Sequence, residues 1–206
     1  MEYNLVLADP PWFYNERKLK RVDGKSPRFG KGAVNHYSVM STEEICNLPV
    51  KDIVADNCAL FLWTTFPRLD AGLKVMEAWG FDYKSIGFLW IKLNPKRVNH
   101  PKECEVLENR GMYSYLDWLT FFGIGYYTKS NPEPCLLGIR GRMKPISNKV
   151  SNVIYAPRGQ HSEKPPIVRY KIAALFGELP KIELFARQRA VGWDSWGDEV
   201  ESDLEF

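Results

Sequence analysis

Residues 4–12 read NLVLADPPW, an apolar run that passes straight into an acid, two prolines and a tryptophan. Asn4 to Ala8 has the length and composition of a buried strand, and proline cannot prolong a β-ladder because it has no N–H to give. The strand must therefore stop at Asp9, which leaves an exposed-looking tryptophan, Trp12, beside its carboxyl end. A second run, CALFLWTT (58–65), reads as another central strand. Between the two, MSTEEICNLPV (40–50) opens with Ser41 and Thr42, carries Glu44 as the returning half of a capping box and ends at Pro49, which predicts a short helix.

Working outward, PRLDAGLKVMEAWG (67–80) has proline near its start, Leu69, Leu73, Val75, Met76 and Trp79 at helical spacing, and Gly80 at its end. It predicts a crossover helix. YKSIGFLWIK (83–92), PCLLGIRG (134–141) and NVIYAP (152–157) predict strands. KPPIVRYKIAALFG (164–177) predicts a second long helix leading into KIELFAR (181–187), read as the last core strand. Strands alternating with helices imply a mostly parallel sheet covered on both faces, an α/β three-layer α/β/α sandwich. At 206 residues with 45% hydrophobic content, the chain can fill one sizeable core, so a single domain over 1–206 is expected.

Several classes fall away. The cysteines at 46, 58, 104 and 135 never reach C-x-x-C spacing and the histidines at 36, 100 and 161 are scattered, so no metal site is expected. No signal-peptide pattern opens the chain and no apolar run reaches membrane-spanning length, which predicts a cytoplasmic protein without a membrane partner. Neither a G-x-x-x-x-G-K-[ST] loop nor a G-x-G-x-x-G turn after a strand is present, against ATP-driven or dinucleotide chemistry. A net charge of +3 permits an anionic partner without requiring one.

In such sheets ligands gather beyond the carboxyl ends of the strands, here at Asp9-Pro10-Pro11-Trp12, Thr64-Thr65, Lys92, Pro157-Arg158 and Arg187. The composition of DPPW suits the task of holding a planar amine in a dry pocket. Prolines remove N–H donors, so the turn presents acceptors, and the Asp9 carboxylate and Pro10 carbonyl can each take one hydrogen of an aromatic amino group. Those bonds favour a localised lone pair on the nitrogen, while Trp12, Phe13 or Tyr14 offers a face for stacking. The same residues also suit a strand ending in a proline turn with a surface tryptophan. Composition alone does not separate the two.

ADPPW (8–12), NHYSVMSTEEICNLPV (35–50), LFLWTT (60–65), GIGYYTKSNPEPCLLGIRG (123–141), APRGQHSEKP (156–165) and IELFARQRAVGWDSWGDEV (182–200) together resemble, in order, the MT-A70 family of S-adenosylmethionine-dependent adenine methyltransferases, most closely its short bacterial and phage members. The resemblance implies a Rossmann-like methyltransferase fold in permuted order, the catalytic strand first and the principal cofactor strand last. It places catalysis on Asp9, Pro10, Pro11 and Trp12, and cofactor contacts on Asp9, Lys164, Glu183, Phe185, Arg187, Gly197, Asp198 and Glu199. Lys164 would pair with the methionine carboxylate and Arg187 would meet the ribose, with Glu183, Phe185 and Arg187 alternating on one face of the last strand. Only eight residues precede Asp9, so an upstream strand and turn that hold the cofactor adenine in longer relatives are expected to have no counterpart. Gln188 and Ala190 replace polar or proline positions of those relatives, which leaves the adenine contacts open.

The implied reaction is methyl transfer to the 6-amino nitrogen of adenine in DNA, with S-adenosylhomocysteine as product and no metal. The same reaction on RNA, or a non-catalytic nucleic-acid-binding subunit, are the alternatives. NERKLKRVDGKSPRFGKG (15–32) holds seven Lys/Arg against two acids directly after the catalytic motif. Lys18, Lys20, Arg21, Lys25, Arg28 and Lys31 could there neutralise phosphates, and Tyr37 could line the base pocket. Substrate-contacting loops are thus expected near 15–36 and 93–133, in a monomer or homodimer.

Overall fold

The computed structural model describes residues 2–13, 39–98, 112–123, 127–159 and 163–206. Among them, seven strands join one sheet in the order β5-β3-β4-β2-β1-β6-β7, flanked by helices. β1 (Tyr3–Ala8) lies near the middle, parallel to β2 (Val54–Trp63) on one side and to β6 (Lys181–Leu184) on the other. β7 (Asp194–Trp196) runs parallel outside β6, and β3 (Asp82–Leu93) pairs in parallel with β5 (Val153–Pro157). β4 (Glu133–Arg140) completes the sheet. This is the α/β, Rossmann-like arrangement that the alternation of strands and helices predicts, with the DPPW strand first.

Two compact units divide the chain: Met1–Ser85 with Leu136–Lys144 and Leu179–Phe206, and Ile86–Cys135 with Pro145–Glu178. In the first, Leu5, Val6 and Ala8 of β1 and the run Cys58–Leu62 of β2 are fully buried, which is why these stretches carry no polar alternation. α1 (Thr42–Cys46) is started by the expected capping box: Ser41 Oγ accepts from the Glu44 N–H at 3.2 Å, and Glu44 Oε2 accepts from the Ser41 N–H at 2.7 Å. The predicted helix over 40–50 thus shrinks to five residues, followed by a 3-10 turn at Val50–Asp52. The helix predicted over 67–80 is a 3-10 turn (Phe66–Arg68) running into α2 (Leu69–Ala78). α2 buries Val75 and Met76 and is anchored to α1, the Trp79 indole donating to Ile45 O at 2.9 Å. Gly138 of β4 admits the helix, since a Cβ there would meet Met76 Sδ at 2.7 Å.

The second unit holds most of β3, then α3 (Pro95–Val98), α4 (Met112–Leu119), β5 and α5 (Ile167–Phe176), which buries Val168, Ile172 and Phe176. α3 and α4 both fall inside the substrate-contacting loop expected near 93–133; α3 is a single helical turn, too short to leave a period in the sequence. None of the helices among the described residues is long and apolar enough to cross a membrane.

Two expectations about the last strands are corrected. β6 ends at Leu184 rather than running on to Arg187, because Phe185 takes φ +61°, a left-handed conformation that leaves the ladder. Phe185 and Arg187 therefore do not alternate with Glu183 along one strand. β6 is also not the last strand: the polar-looking WDSW contributes β7, whose buried Ser195 sits level with Glu183.

Candidate active site

The DPPW turn is stitched to the chain just before α1. The Trp12 N–H donates to Pro10 O at 2.9 Å, the Met40 N–H to Pro11 O at 2.9 Å and the Phe13 N–H to Met40 O at 3.1 Å. Trp12 is not a surface residue. It is only 6% exposed, and its indole N–H donates to Trp63 O at 3.1 Å, at the end of the neighbouring strand. A buried indole needs one acceptor for its single donor, and a strand-end carbonyl supplies it. Asp9, half-buried, donates its backbone N–H to Leu184 O at 3.4 Å. The Pro10 carbonyl has spent one of its two lone pairs on Trp12 and keeps the other.

Beyond β6 the same unit makes a close crossing. The Ala186 N–H donates to Trp196 O at 2.9 Å, and a Cβ on Gly197 would strike the Ala186 carbonyl oxygen and lie 2.7 Å from the Ala186 nitrogen. Glycine is required there by backbone contact. The Phe185 ring meets Trp196 edge to face at 5.2 Å, and Trp196 meets Phe206 at 4.6 Å. Arg187 Nε pairs with Glu199 Oε1 at 3.0 Å, with 30% and 52% of the two side chains exposed, and Asp198 is exposed. Glu183, in β6, is half-buried.

In the second unit Lys164 joins a cluster. Glu133 accepts from Lys92 Nζ at 2.6 Å on one oxygen and from Lys164 Nζ at 3.1 Å on the other, with side-chain exposures of 11%, 23% and 12% for Glu133, Lys92 and Lys164. Burial works to raise the Glu133 carboxyl, but the Lys164 and Lys92 ammonium groups outweigh it and hold its pKa below the usual glutamate value. Lys92 also lies 5.2 Å from the Trp90 ring centroid, and Asn131 fixes the strand end by exchanging bonds with Lys92 N and O at 3.1 and 2.8 Å. The three charges sum to +1. Glu133 and Asn131 are residues that the sequence reading missed; the available signal was an acid between two prolines, Asn131-Pro132-Glu133-Pro134, at the mouth of an apolar strand.

Lys18, Lys20, Arg21, Arg28, Lys31 and Tyr37 lie outside the described residues. Other cations are described. Arg158 sits over the Phe121 ring, its Cζ 3.5 Å from the centroid, and Arg97 lies 5.4 Å from the Trp118 ring centroid while bonding Trp118 O.

A family model described as MT-A70 matches residues 3–112 and 122–199, with both the DPPW turn and the Lys164 cluster inside the matched blocks. The chain belongs to the MT-A70 family. Among MT-A70 relatives, a type II methyltransferase, M.MunI, from Mycoplasma sp is 34% identical over 209 residues, covering 97% of this chain and 78% of that protein. An N(6)-adenosine-methyltransferase MT-A70-like protein from Arabidopsis thaliana is 25% identical, covering 96% of this chain and 24% of its own length. The human N(6)-adenine-specific methyltransferase METTL4 is 24% identical, covering 96% and 37%. The chain thus spans most of the Mycoplasma protein but about a quarter to a third of these two eukaryotic ones. The family is one of adenine-N6 methyltransferases, so this MT-A70 chain is of an enzyme family whose members generally use S-adenosylmethionine.

Proposed function

We propose that this MT-A70 protein methylates the 6-amino nitrogen of adenine in DNA, with S-adenosylmethionine as donor. The observation that carries the reading is the intact Asp9-Pro10-Pro11-Trp12 turn at the carboxyl end of β1, its tryptophan locked by the indole bond to Trp63 O and its backbone held by hydrogen bonds. DNA is preferred to RNA on the 34% identity to the type II methyltransferase, against 25% to the plant adenosine methyltransferase-like protein.

The donor set fits the cofactor. An amino-acid zwitterion needs a cation and an anion, and Lys164 and Glu133 provide both in a buried cluster of net positive charge. The vicinal hydroxyls of a ribose need donors and acceptors together, as Arg187 and Glu199 offer. Glu183, Phe185, Gly197 and Asp198 complete the proposed set around β6 and β7. S-adenosylmethionine supplies an electrophilic methyl group on sulfonium.

Everything else falls to the chain's own residues. Asp9 and the free lone pair of Pro10 O accept the two amino hydrogens, orienting the nitrogen lone pair and keeping it from delocalising into the ring. The amine so oriented would take the methyl carbon that the cofactor's sulfonium gives up, and one amino proton would leave to water. Prolines and the buried Trp12 exclude competing donors. Lys18, Lys20, Arg21, Arg28 and Lys31 are assigned to phosphates and Tyr37 to the base pocket, with Arg158 and Arg97 as further cations for the polymer. The protein acts in the cytoplasm as a monomer or homodimer.

Incubation with methyl-labelled S-adenosylmethionine and sequence-matched DNA and RNA oligonucleotides tests this. Label recovered as N6-methyladenine in DNA is the expected result. Label in RNA alone would move the substrate assignment, and no label in either, with undetectable cofactor binding, would favour a non-catalytic binding subunit.

A further inference from the structure

Thr64 and Thr65 leave β2 as neighbours and use their hydroxyls differently. Thr64, only 1% exposed, donates its Oγ1 hydrogen to Arg68 O at 3.1 Å. Thr65 stands at the N-cap of the Phe66–Arg68 turn, with φ −117° and ψ 155°, where a threonine hydroxyl ordinarily accepts an N–H of the turn. It makes no such bond; the turn closes instead through the Arg68 N–H to Thr65 O at 2.8 Å. Thr65 Oγ1 is nevertheless shut off from solvent and has no hydrogen-bond partner. A hydroxyl buried in this way costs stability unless something satisfies it, and valine would fill the same space without that cost.

Its address points to what satisfies it. Ala8 of β1 pairs with Leu62 of β2, and the Trp12 indole bonds Trp63 O, two residues before Thr65, so the chain leaving β2 with Thr65 sets out from beside the DPPW turn. Adenine presents an acceptor, N1, immediately beside its amino group. The DPPW turn offers acceptors for the amine and no donor for N1.

We propose that the Thr65 hydroxyl donates to N1 of the target adenine, so that Asp9, Pro10 and Thr65 together read the edge that carries the amine. This rests on the methyltransferase reading above and adds to it a specificity-determining residue. The pair Thr64 and Thr65 then divides labour: one holds the turn, the other reads the base.

The test compares wild type, Thr65→Val and Thr65→Ser on oligonucleotides carrying adenine or 1-deazaadenine at the methylated position. Wild type is expected to lose about tenfold in kcat/KM on the deaza base, the scale of one lost hydrogen bond in a base pocket. Thr65→Val should lose a similar factor on adenine, stop distinguishing the two bases, keep its cofactor affinity, and melt no lower than wild type in the absence of substrate. Thr65→Ser should restore discrimination. Should Thr65→Val not fold, the serine variant and the deaza arm on wild type still decide the matter. Undiminished activity of Thr65→Val, or discrimination persisting in it, would overturn the Thr65 assignment alone. A wild type inert on every adenine substrate would overturn the methyltransferase reading, and Thr65 with it.

Discussion

The DPPW turn in one unit and the Lys92–Glu133–Lys164 cluster in the other each have a part in the proposed function, yet they are held in opposite ways. The turn is fixed by neutral bonds, three from backbone N–H groups and one from the Trp12 indole, and by burial of Trp12 and Phe13. In the cluster, the side chain proposed to hold the cofactor is itself one leg of a buried ion network. Chemistry and stability should therefore separate at the first place and stay coupled at the second.

The sharpest way to break this contrast is Glu133→Ala. It removes the carboxylate that both ammonium groups bond in a largely buried cluster, and losing one member of a buried pair costs roughly 3–5 kcal/mol. Denaturant unfolding should report a loss of that order, and a loss below about 1 kcal/mol would mean that the lysines find water or other partners. The cluster also predicts a pH response. Because the folded Glu133 pKa lies below its unfolded value, its contribution is complete above the ordinary glutamate range and drains away as pH falls through the lowered folded pKa. The acid limb of the stability curve should therefore flatten in Glu133→Gln.

Asp9→Ala is the matching experiment at the turn. Activity should fall at least tenfold, the loss of a charge-assisted contact being worth roughly 1.5–3 kcal/mol, while melting temperature and most of the cofactor affinity remain. Loss of stability equal to the loss of activity would remove the contrast altogether.

Lys164→Ala falls between them. It should weaken S-adenosylmethionine and S-adenosylhomocysteine by the same factor, about tenfold, since the two share one carboxylate. It should also destabilise the protein less than Glu133→Ala, because Lys92 remains on the carboxylate. Isothermal titration with both ligands checks the first point; unchanged affinity for both would take Lys164 out of the site and leave it a structural cation.

What the sequence disclosed follows the same division. β1, β2, α2 and the capping box of α1 were legible because each is written in neighbouring residues: an apolar run, a helical period, Ser41 with Glu44. The DPPW turn was legible as chemistry but not as packing, since nothing local shows that the Trp12 indole finds the Trp63 carbonyl 51 positions away. Glu133 stayed hidden because its meaning lies in two lysines 41 and 31 residues distant along the chain. The end of β6 misled for a related reason: Glu183, Phe185 and Arg187 do alternate in the chain, but Phe185 is left-handed where Gly197 crosses close against Ala186 and Phe185, a contact between segments that meet only in the fold.

The smallest effects should come from Arg187 and Glu199, the other cation–carboxylate contact in the proposed cofactor set. Their 3.0 Å pair resembles the Lys164–Glu133 contact in length, but it is open to water, and such pairs contribute about 0–1 kcal/mol. Glu199→Gln should therefore leave stability within about 0.5 kcal/mol of wild type, and added salt should erase even that. If the pair exists for the ribose, Arg187→Ala should still weaken cofactor binding several-fold, and adenosine, lacking the methionine portion, should sense the loss that Lys164→Ala leaves it blind to. Titrating both variants with adenosine and with S-adenosylhomocysteine separates the two ends of the ligand. A variant of Arg187 that binds both as wild type does would confine the cofactor role to the buried cluster, and would make the exposed pair a surface contact of the kind that its solvent exposure alone predicts.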